Sequence, residues 1–483
     1  MQQRSQFWVA AFALAAGCQA RQQPALAPEV AELGSSYAAK VAASALFVSG
    51  RTLDSVRNEE LQPDTPLTAA IAPLLQFEVD AQQHTVTARI GSASATAAFV
   101  PAFGCTLLHG VDLATLRARV PAPHAGTTEP DPATIDWPLG ECLPATPLPA
   151  AVDGKALQAA VDAAFVEPKD KPKVRTRAVV VVWHGRLLAE RYAEGYDAAM
   201  PLPGWSMTKT MVNALLGIRI SEGKLDPGAE LPVPEWRAQP DDPRRALRLE
   251  QLLRMHSGLH WNENYGDPKA EVLRMLFFAT DYGGVAATQP LQHPPDSTFE
   301  YSSGTANLLC RILRTTFASD ADYWSFPRAQ LFQPLAMRSA RIEPDPSGTF
   351  VGSSFGFASA RDWARFGMLY AQDGMWNGQR ILPAGWVKAS CTPTPGSHGS
   401  FGQHLWLNES PVDPKERAER WDDLPRDLLH MDGHEGQYVF VFPSQQLVIV
   451  RLGCTQRGGF DLHGLLRAVF AACGGAVGVG EKK

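Results

Sequence analysis

The feature that most limits the fold lies at the two ends of the region 151–483. Ala178 to Trp183 is an unbroken apolar run that reads as a buried strand. His184-Gly185 is a turn signal, and Arg186 to Tyr192 supplies the returning strand. Near the other end, Tyr438 to Phe442 and Gln446 to Leu452 make a second hairpin around Pro443-Ser444, followed by a helix from Asp461 to Ala472. Asp153 can cap an opening helix whose Leu157, Val161, Ala164 and Phe165 share one face. Strands at both ends with helices between them predict an α+β fold. It would be an antiparallel sheet with flanking helices and a large helical insertion.

The preceding residues follow other rules. Phe7 to Ala16 is an apolar run behind the cation Arg4, too short to span a bilayer but right for a signal-peptide core. It ends in Ala15-Ala16-Gly17-Cys18, which resembles a bacterial lipoprotein cleavage site with Cys18 as the lipidated first residue. Ordinary cleavage nearby is the alternative. Either way 1–18 is a leader, and the chain is expected to be exported, periplasmic or anchored to a membrane through lipid. Residues 19–35 begin Gln-, Ala- and Pro-rich and read as a tether. Residues 36–150 read as a small β-rich accessory domain, because Leu75 to Val79 and Val86 to Ile90 alternate apolar and polar. Val120 to Pro149, rich in Pro, Thr, Ala and Gly, reads as loop or linker. Cys105 and Cys142 both fall in this region and are the best candidate disulfide of an exported protein. A formal net charge of −6 argues against a nucleic-acid partner, which would need a basic stripe. No C-x-x-C or H-E-x-x-H occurs, so no metal or other cofactor is expected.

Chemistry concentrates in three stretches. In Gly204-Trp205-Ser206-Met207-Thr208-Lys209 the following Met211, Leu215 and Ile218 recur at helical spacing, and Gly223 is a stop signal. Ser206 then sits in the first turn of a helix with Lys209 one turn on. A serine hydroxyl needs a base, and an amine whose pKa is lowered by burial and a helix N-terminus can serve. Glu300-Tyr301-Ser302-Ser303-Gly304 precedes the apolar helix Asn307 to Leu313 and can present a phenol to a cleft. A nearby ammonium would lower that phenol toward a useful base. Asp432-Gly433-His434-Glu435-Gly436-Gln437 leads into a strand, and its glycines allow a substrate carbonyl to approach the backbone. Each stretch alone also fits a structural role, namely a helix cap, a packed Tyr and a surface turn.

Together and in this order they resemble the serine β-lactamase and penicillin-binding protein superfamily. Within it the chain is most similar to class C β-lactamase-related hydrolases, which include esterases and 6-aminohexanoate-dimer hydrolases. The resemblance runs over roughly Arg177 to Ala472. It implies that Ser206 is acylated, that Lys209 and Tyr301 shuttle the proton, and that the Ser206 and Gln437 N–H groups hold the oxyanion. Ser303 stands where many relatives carry the Asn of a Tyr-x-Asn element. His434 stands where β-lactamases carry the Lys of Lys-Thr-Gly. A neutral imidazole attracts a substrate carboxylate less than a fixed ammonium does, so ester or amide substrates are expected over β-lactams. Gly352-Ser353-Ser354-Phe355-Gly356 matches the G-x-S-x-G elbow, but a Pro- and Gly-bearing loop precedes it and Ser359-x-x-Asp362 reads as a helix cap, so Ser354 is expected to be structural. Trp205, Tyr265 and Trp406 are candidate cleft walls. Two functions of different class follow: a small-molecule ester or amide hydrolase working through an acyl-enzyme, or a catalytically silent cell-wall ligand sensor on the same fold.

Overall fold

The computed structural model describes residues 26–101, 103–119, 130–169, 172–416, 421–455 and 459–475. The leader-like run and Cys18 lie outside the described residues. Helix α1 (Pro28–Phe47) opens the described chain where the end of a tether and the start of a β-rich domain were expected. Its alanines favour helix, and its hidden face carries Ser35, Ser36, Lys40 and Ser44. It lies on a four-stranded antiparallel meander, β1 (Gln76–Asp80), β2 (Thr85–Ile90), β3 (Ala93–Val100) and β4 (Gly104–Leu107). The close approach needs a glycine, because a Cβ on Gly34 would stand 2.9 Å from Ile90 Cδ1 of β2.

Helix α2 (Gly154–Ala163) is capped by Asp153, whose carboxylate accepts from the Lys155 and Ala156 N–H groups. Strands β5 (Thr176–Trp183) and β6 (Arg186–Tyr192) follow, joined through His184 and Gly185 at φ of 48° and 76°. Both values are the left-handed ones that a two-residue hairpin turn needs. The helical insertion includes α3 (Thr208–Ser221), α4 (Ser303–Arg314) and α5 (Ala360–Ala371). The chain then returns through β7 (Trp406–Leu407), β8 (Leu429–Gly433), β9 (Gln437–Phe442) and β10 (Leu447–Gly453), and ends in α6 (Leu462–Ala472).

The main sheet is antiparallel, with order β7-β8-β9-β10-β5-β6. The last strand therefore pairs with the first, placing Val450 opposite Val180. Successive side chains of β5 point to opposite faces, which is why its whole run is apolar. Val179 and Val181 pack with Leu157, Val161, Leu466 and Val469 of α2 and α6. Val180 and Val182 face the helical insertion. There α5 is buried along its full length and touches the sheet through Gly367, where a Cβ would stand 2.7 Å from Val448 Cγ1. The α+β architecture is the one the sequence predicts.

Two expectations about the N-terminal region meet the structure here. The first, the boundary near 150, is crossed by packing. Residues of α1 and the meander belong to one continuous apolar core with residues of the helical insertion. Buried charges reinforce the join. Glu343, in the insertion, accepts from Lys40 Nζ and Ser44 Oγ of α1 and from the Cys105 N–H of β4 at 2.6 Å. Arg177 of β5 binds Glu59 and Glu60, and Arg51 also holds Glu60. Burial alone would raise the Glu60 carboxyl, but Arg177 and Arg51 outweigh it and hold it down at about 2. The second concerns Cys105 and Cys142, which are free thiols. Cys105 is buried on β4 beside Glu343, whereas Cys142 lies in the loop that bridges back to Asp136.

Lys40 and Glu343 are both fully buried, so removing one partner strands a charge. Lys40→Met should therefore lower unfolding stability by about 3 kcal/mol in denaturant titration. The pair Lys40→Met with Glu343→Gln should recover most of that loss.

Candidate active site

Ser206 is presented by a short 3-10 turn, Trp205–Met207, immediately before α3. Trp205 has φ of +47°, a strained conformation for a bulky side chain. Its neighbours hold it there. The Gly204 N–H donates to the Gly356 carbonyl at 2.8 Å, and Thr208 Oγ1 donates to the Trp205 carbonyl at 2.6 Å. Thr208 Oγ1 in turn accepts from the Gly356 N–H at 2.9 Å. Gly204 lies flat against Trp363, where a Cβ would stand 2.3 Å from the ring. The result is a partly exposed Ser206 at the head of a buried helix.

Lys209, one turn on, is 2% exposed. Its Nζ is 3.0 Å from Ser206 Oγ, 3.1 Å from Ser303 Oγ and 3.0 Å from the Ser353 carbonyl oxygen. Burial pulls its pKa from 10.5 to about 8, against the opposing pull of Glu263 and Asp432. A lysine so placed can release and regain a proton near neutral pH. The neighbouring His404 adds no charge. Burial, then Lys209 itself, push its imidazole down to about 3, and its Nδ1 donates to the Lys209 carbonyl at 3.0 Å.

Tyr301 joins this pair. Its ring centre is 4.7 Å from Lys209 Nζ, and its hydroxyl hydrogen-bonds with Ser206. The expectation that the ammonium would lower the phenol is corrected. Burial and the negative charges of Glu263 and Asp432 push Tyr301 well above 10, outweighing the hydrogen bond with Ser206. Tyr301 therefore carries its proton at neutral pH. Its ring is fixed by stacking on Trp406 at 5.6 Å and by the edge of Phe401 at 5.8 Å.

Hairpin β8–β9 closes the other side. Gly433 comes so close to the serine-bearing segment that a Cβ would stand 2.2 Å from the Gly204 carbonyl oxygen. Glu435 and Gly436 turn the chain at φ of 63° and 80°. His434 stays 41% exposed, stacked on Tyr265 at 5.4 Å and met by the edge of Trp205 at 5.3 Å. The Gln437 side chain points away into the protein, exchanging hydrogen bonds with the backbone of Gly453. Only its backbone remains to serve the cleft. Ser354, 1% exposed, is hydrogen-bonded to Ser353 Oγ at 2.9 Å.

The structure thus gathers Ser206, Lys209, Tyr301 and Ser303 at one point, with His434 and the three aromatics around them. It also reveals a residue that sequence reasoning missed. Glu263 accepts from Ser303 Oγ at 2.6 Å, from the Ser303 N–H at 3.0 Å and from Trp261 Nε1. It lies in Trp261-Asn262-Glu263-Asn264-Tyr265, a polar loop with nothing in its spacing to single out the carboxylate.

An antiparallel sheet joined end to start, with a buried helix presenting serine and lysine beneath tyrosine, is the architecture of β-lactamase-like hydrolases. The family model described as beta-lactamase matches residues 161–472, and the chain belongs to that family as a β-lactamase-related hydrolase. Over 295 residues it is 27% identical to the 6-aminohexanoate-dimer hydrolase of Paenarthrobacter ureafaciens, spanning 57% of this chain and 72% of that one. Two solved structures share the fold. A candidate 6-aminohexanoate-dimer hydrolase from Bacillus anthracis superposes with a TM-score of 0.51 at 20% identity, over 65% of this chain and 80% of the other. EstCE1, a hydrolase with promiscuous acyltransferase activity, gives 0.51 at 16% identity, over 66% and 98%.

Proposed function

We propose that the protein cleaves ester or amide bonds of small molecules through an acyl-enzyme on Ser206. The observation that carries this reading is the 3.0 Å approach of a dehydrated lysine amine to a partly exposed serine hydroxyl. In the proposed cycle Ser206 Oγ attacks the substrate carbonyl while its proton passes to neutral Lys209. The backbone N–H groups of Ser206 and Gln437 receive the charge that develops on the carbonyl oxygen. Tyr301, a protonated phenol, gives its proton to the departing alcohol or amine and is refilled from Lys209. Water then attacks the acyl carbon, giving one proton to the same pair of residues and returning Ser206 its own. Relatives named as 6-aminohexanoate-dimer hydrolases support the amide half of this reading. The proposed setting, outside the cytoplasm and tethered through Cys18, rests on the leader-like N-terminus.

Three outcomes test it. A panel of chromogenic short-chain esters, amino-acid amides, linear amide oligomers and a cephalosporin should show turnover that Ser206→Ala abolishes, together with covalent labelling by a fluorophosphonate. Retained labelling of that variant would overturn the assignment, and an adduct that never turns over would favour the ligand-sensor reading. Neutral Lys209 is the active form, so kcat/KM should rise with pH and level off above about 8, falling roughly tenfold per unit below it. A flat profile through that range would exclude Lys209 as the base. Finally, esters should be cleaved faster than the cephalosporin. His434→Lys, which sets a fixed cation at the cleft mouth, should tighten binding of carboxylate-bearing inhibitors. Unchanged inhibitor affinity would remove His434 as the selectivity element.

A further inference from the structure

We infer that Glu263 is a positioning residue: it takes the single proton of the Ser303 hydroxyl, makes that oxygen an acceptor toward Lys209, and so aims the Lys209 lone pair at Ser206. The inference rests on the acyl-enzyme reading above and adds a residue to it.

A serine hydroxyl has one proton to give and two lone pairs to receive with. At 2.6 Å the Ser303 hydroxyl gives its proton to Glu263 Oε1. Glu263 Oε2 already faces two donors, the Ser303 N–H at 3.0 Å and Trp261 Nε1, and the Tyr265 hydroxyl also gives its proton to this carboxylate. A carboxylate, which only accepts, satisfies all four. The Ser303 N–H is also a first-turn amide of α4, which has no partner within its helix, so the carboxylate is favoured there twice over. With its proton committed, Ser303 Oγ can only receive from Lys209 Nζ at 3.1 Å, while the neighbouring Tyr265 hydroxyl is itself turned to Glu263. The Ser353 carbonyl, 3.0 Å away, can likewise only receive.

A neutral lysine amine has two N–H bonds and one lone pair. The two obligatory acceptors take both N–H bonds. The lone pair is left for the third neighbour, Ser206 Oγ, at 3.0 Å. If Ser303 could rotate its hydroxyl, it would donate to that lone pair instead and compete with Ser206. Glu263 prevents the rotation. The remaining groups around Lys209 do not substitute for it. Tyr301 faces the ammonium with its ring, His404 donates to the Lys209 carbonyl, and Asp432 acts on Lys209 through its charge.

The test uses the full chain with Glu263→Gln, Ser303→Ala and the double variant, followed by rate against pH on a small ester and by thermal melting. The Glu263→Gln amide offers one acceptor oxygen to four donors, so the Ser303 hydroxyl loses its fixed direction. Each single variant should lower the high-pH plateau of kcat at least about tenfold, part of the ~10²–10⁴-fold that general-base help supplies. KM should change little. The double variant should be no worse than the more damaging single one, because both act through one hydroxyl. In Glu263→Gln the midpoint of the pH rise should also move to lower pH, since a negative charge near Lys209 is gone. That shift follows from the lost charge alone, so the positioning role is read from the plateau and from the double variant. A retained plateau in Glu263→Gln or a double variant losing the product of the single effects would each overturn the inference. Should Glu263→Gln melt below the assay temperature, Ser303→Ala decides alone, and full activity there overturns it. Ser206→Ala and Lys209→Ala run beside them. Activity surviving in those two defeats the acyl-enzyme reading itself, whereas their inactivity with a fully active Glu263→Gln defeats only the role of Glu263.

Discussion

Burying one lysine amine is the constraint around which this structure is arranged. Lys209 Nζ is almost wholly removed from water, and a dehydrated ammonium is costly unless each of its protons finds an acceptor. Its three partners come from three separate stretches, at 206, 303 and 353. Bringing them together requires α3, α4 and the turn before α5 to converge under one end of the sheet. The same dehydration that makes the arrangement expensive lowers the lysine's pKa into a working range. Stability is given up at the point where chemistry is gained.

A second frame of buried charge stands behind the first. Lys40 and Glu343 tie the N-terminal helix to the insertion, while Arg51, Glu60 and Arg177 tie the segment that follows the helix to the first strand of the sheet. The residues 26–107 are therefore not an appendage, although the family match begins only at residue 161. The active-site hairpin reaches this frame as well. His434 faces the cleft, while the next residue, Glu435, is largely buried, 15% exposed, and feels the charges of Glu60 and Arg177. Burial raises the Glu435 carboxyl, with His434 pulling the other way. One turn thus links the cleft mouth on one side to the N-terminal packing on the other.

What the sequence disclosed was local. The one-turn spacing of Ser206 and Lys209, the capping serine before Asp362 and the turn at His184-Gly185 each depend on neighbours a few residues away and appear where their patterns put them, except that Ser206 sits in the 3-10 turn that opens the helix and not on the helix itself. The α+β sheet was legible because β5 and β10 each carry an unmistakable apolar run. What escaped was held at a distance. Glu263 meets its partner forty positions on, and the Ser353 contact with Lys209 is made by a backbone carbonyl that no side-chain pattern betrays. The charge state of Tyr301 was misjudged because the ammonium was visible in the sequence while burial, Glu263 and Asp432 were not. Helix α1 was hidden by a composition of Ala, Ser and Gly that suits a tether equally well. The thiols of Cys105 and Cys142 share a region of the sequence without sharing a bond.

The central claim is that Lys209 is a lysine whose amine is available as a base near neutral pH. The most direct measurement is an NMR titration of the lysine side-chain nitrogens in isotopically labelled protein, with Lys209→Arg used to assign the one resonance that disappears. The account predicts that this resonance titrates near pH 8, apart from every surface lysine. A midpoint near the ordinary value of 10.5 would leave Lys209 a permanent cation under physiological conditions and contradict the account at its base.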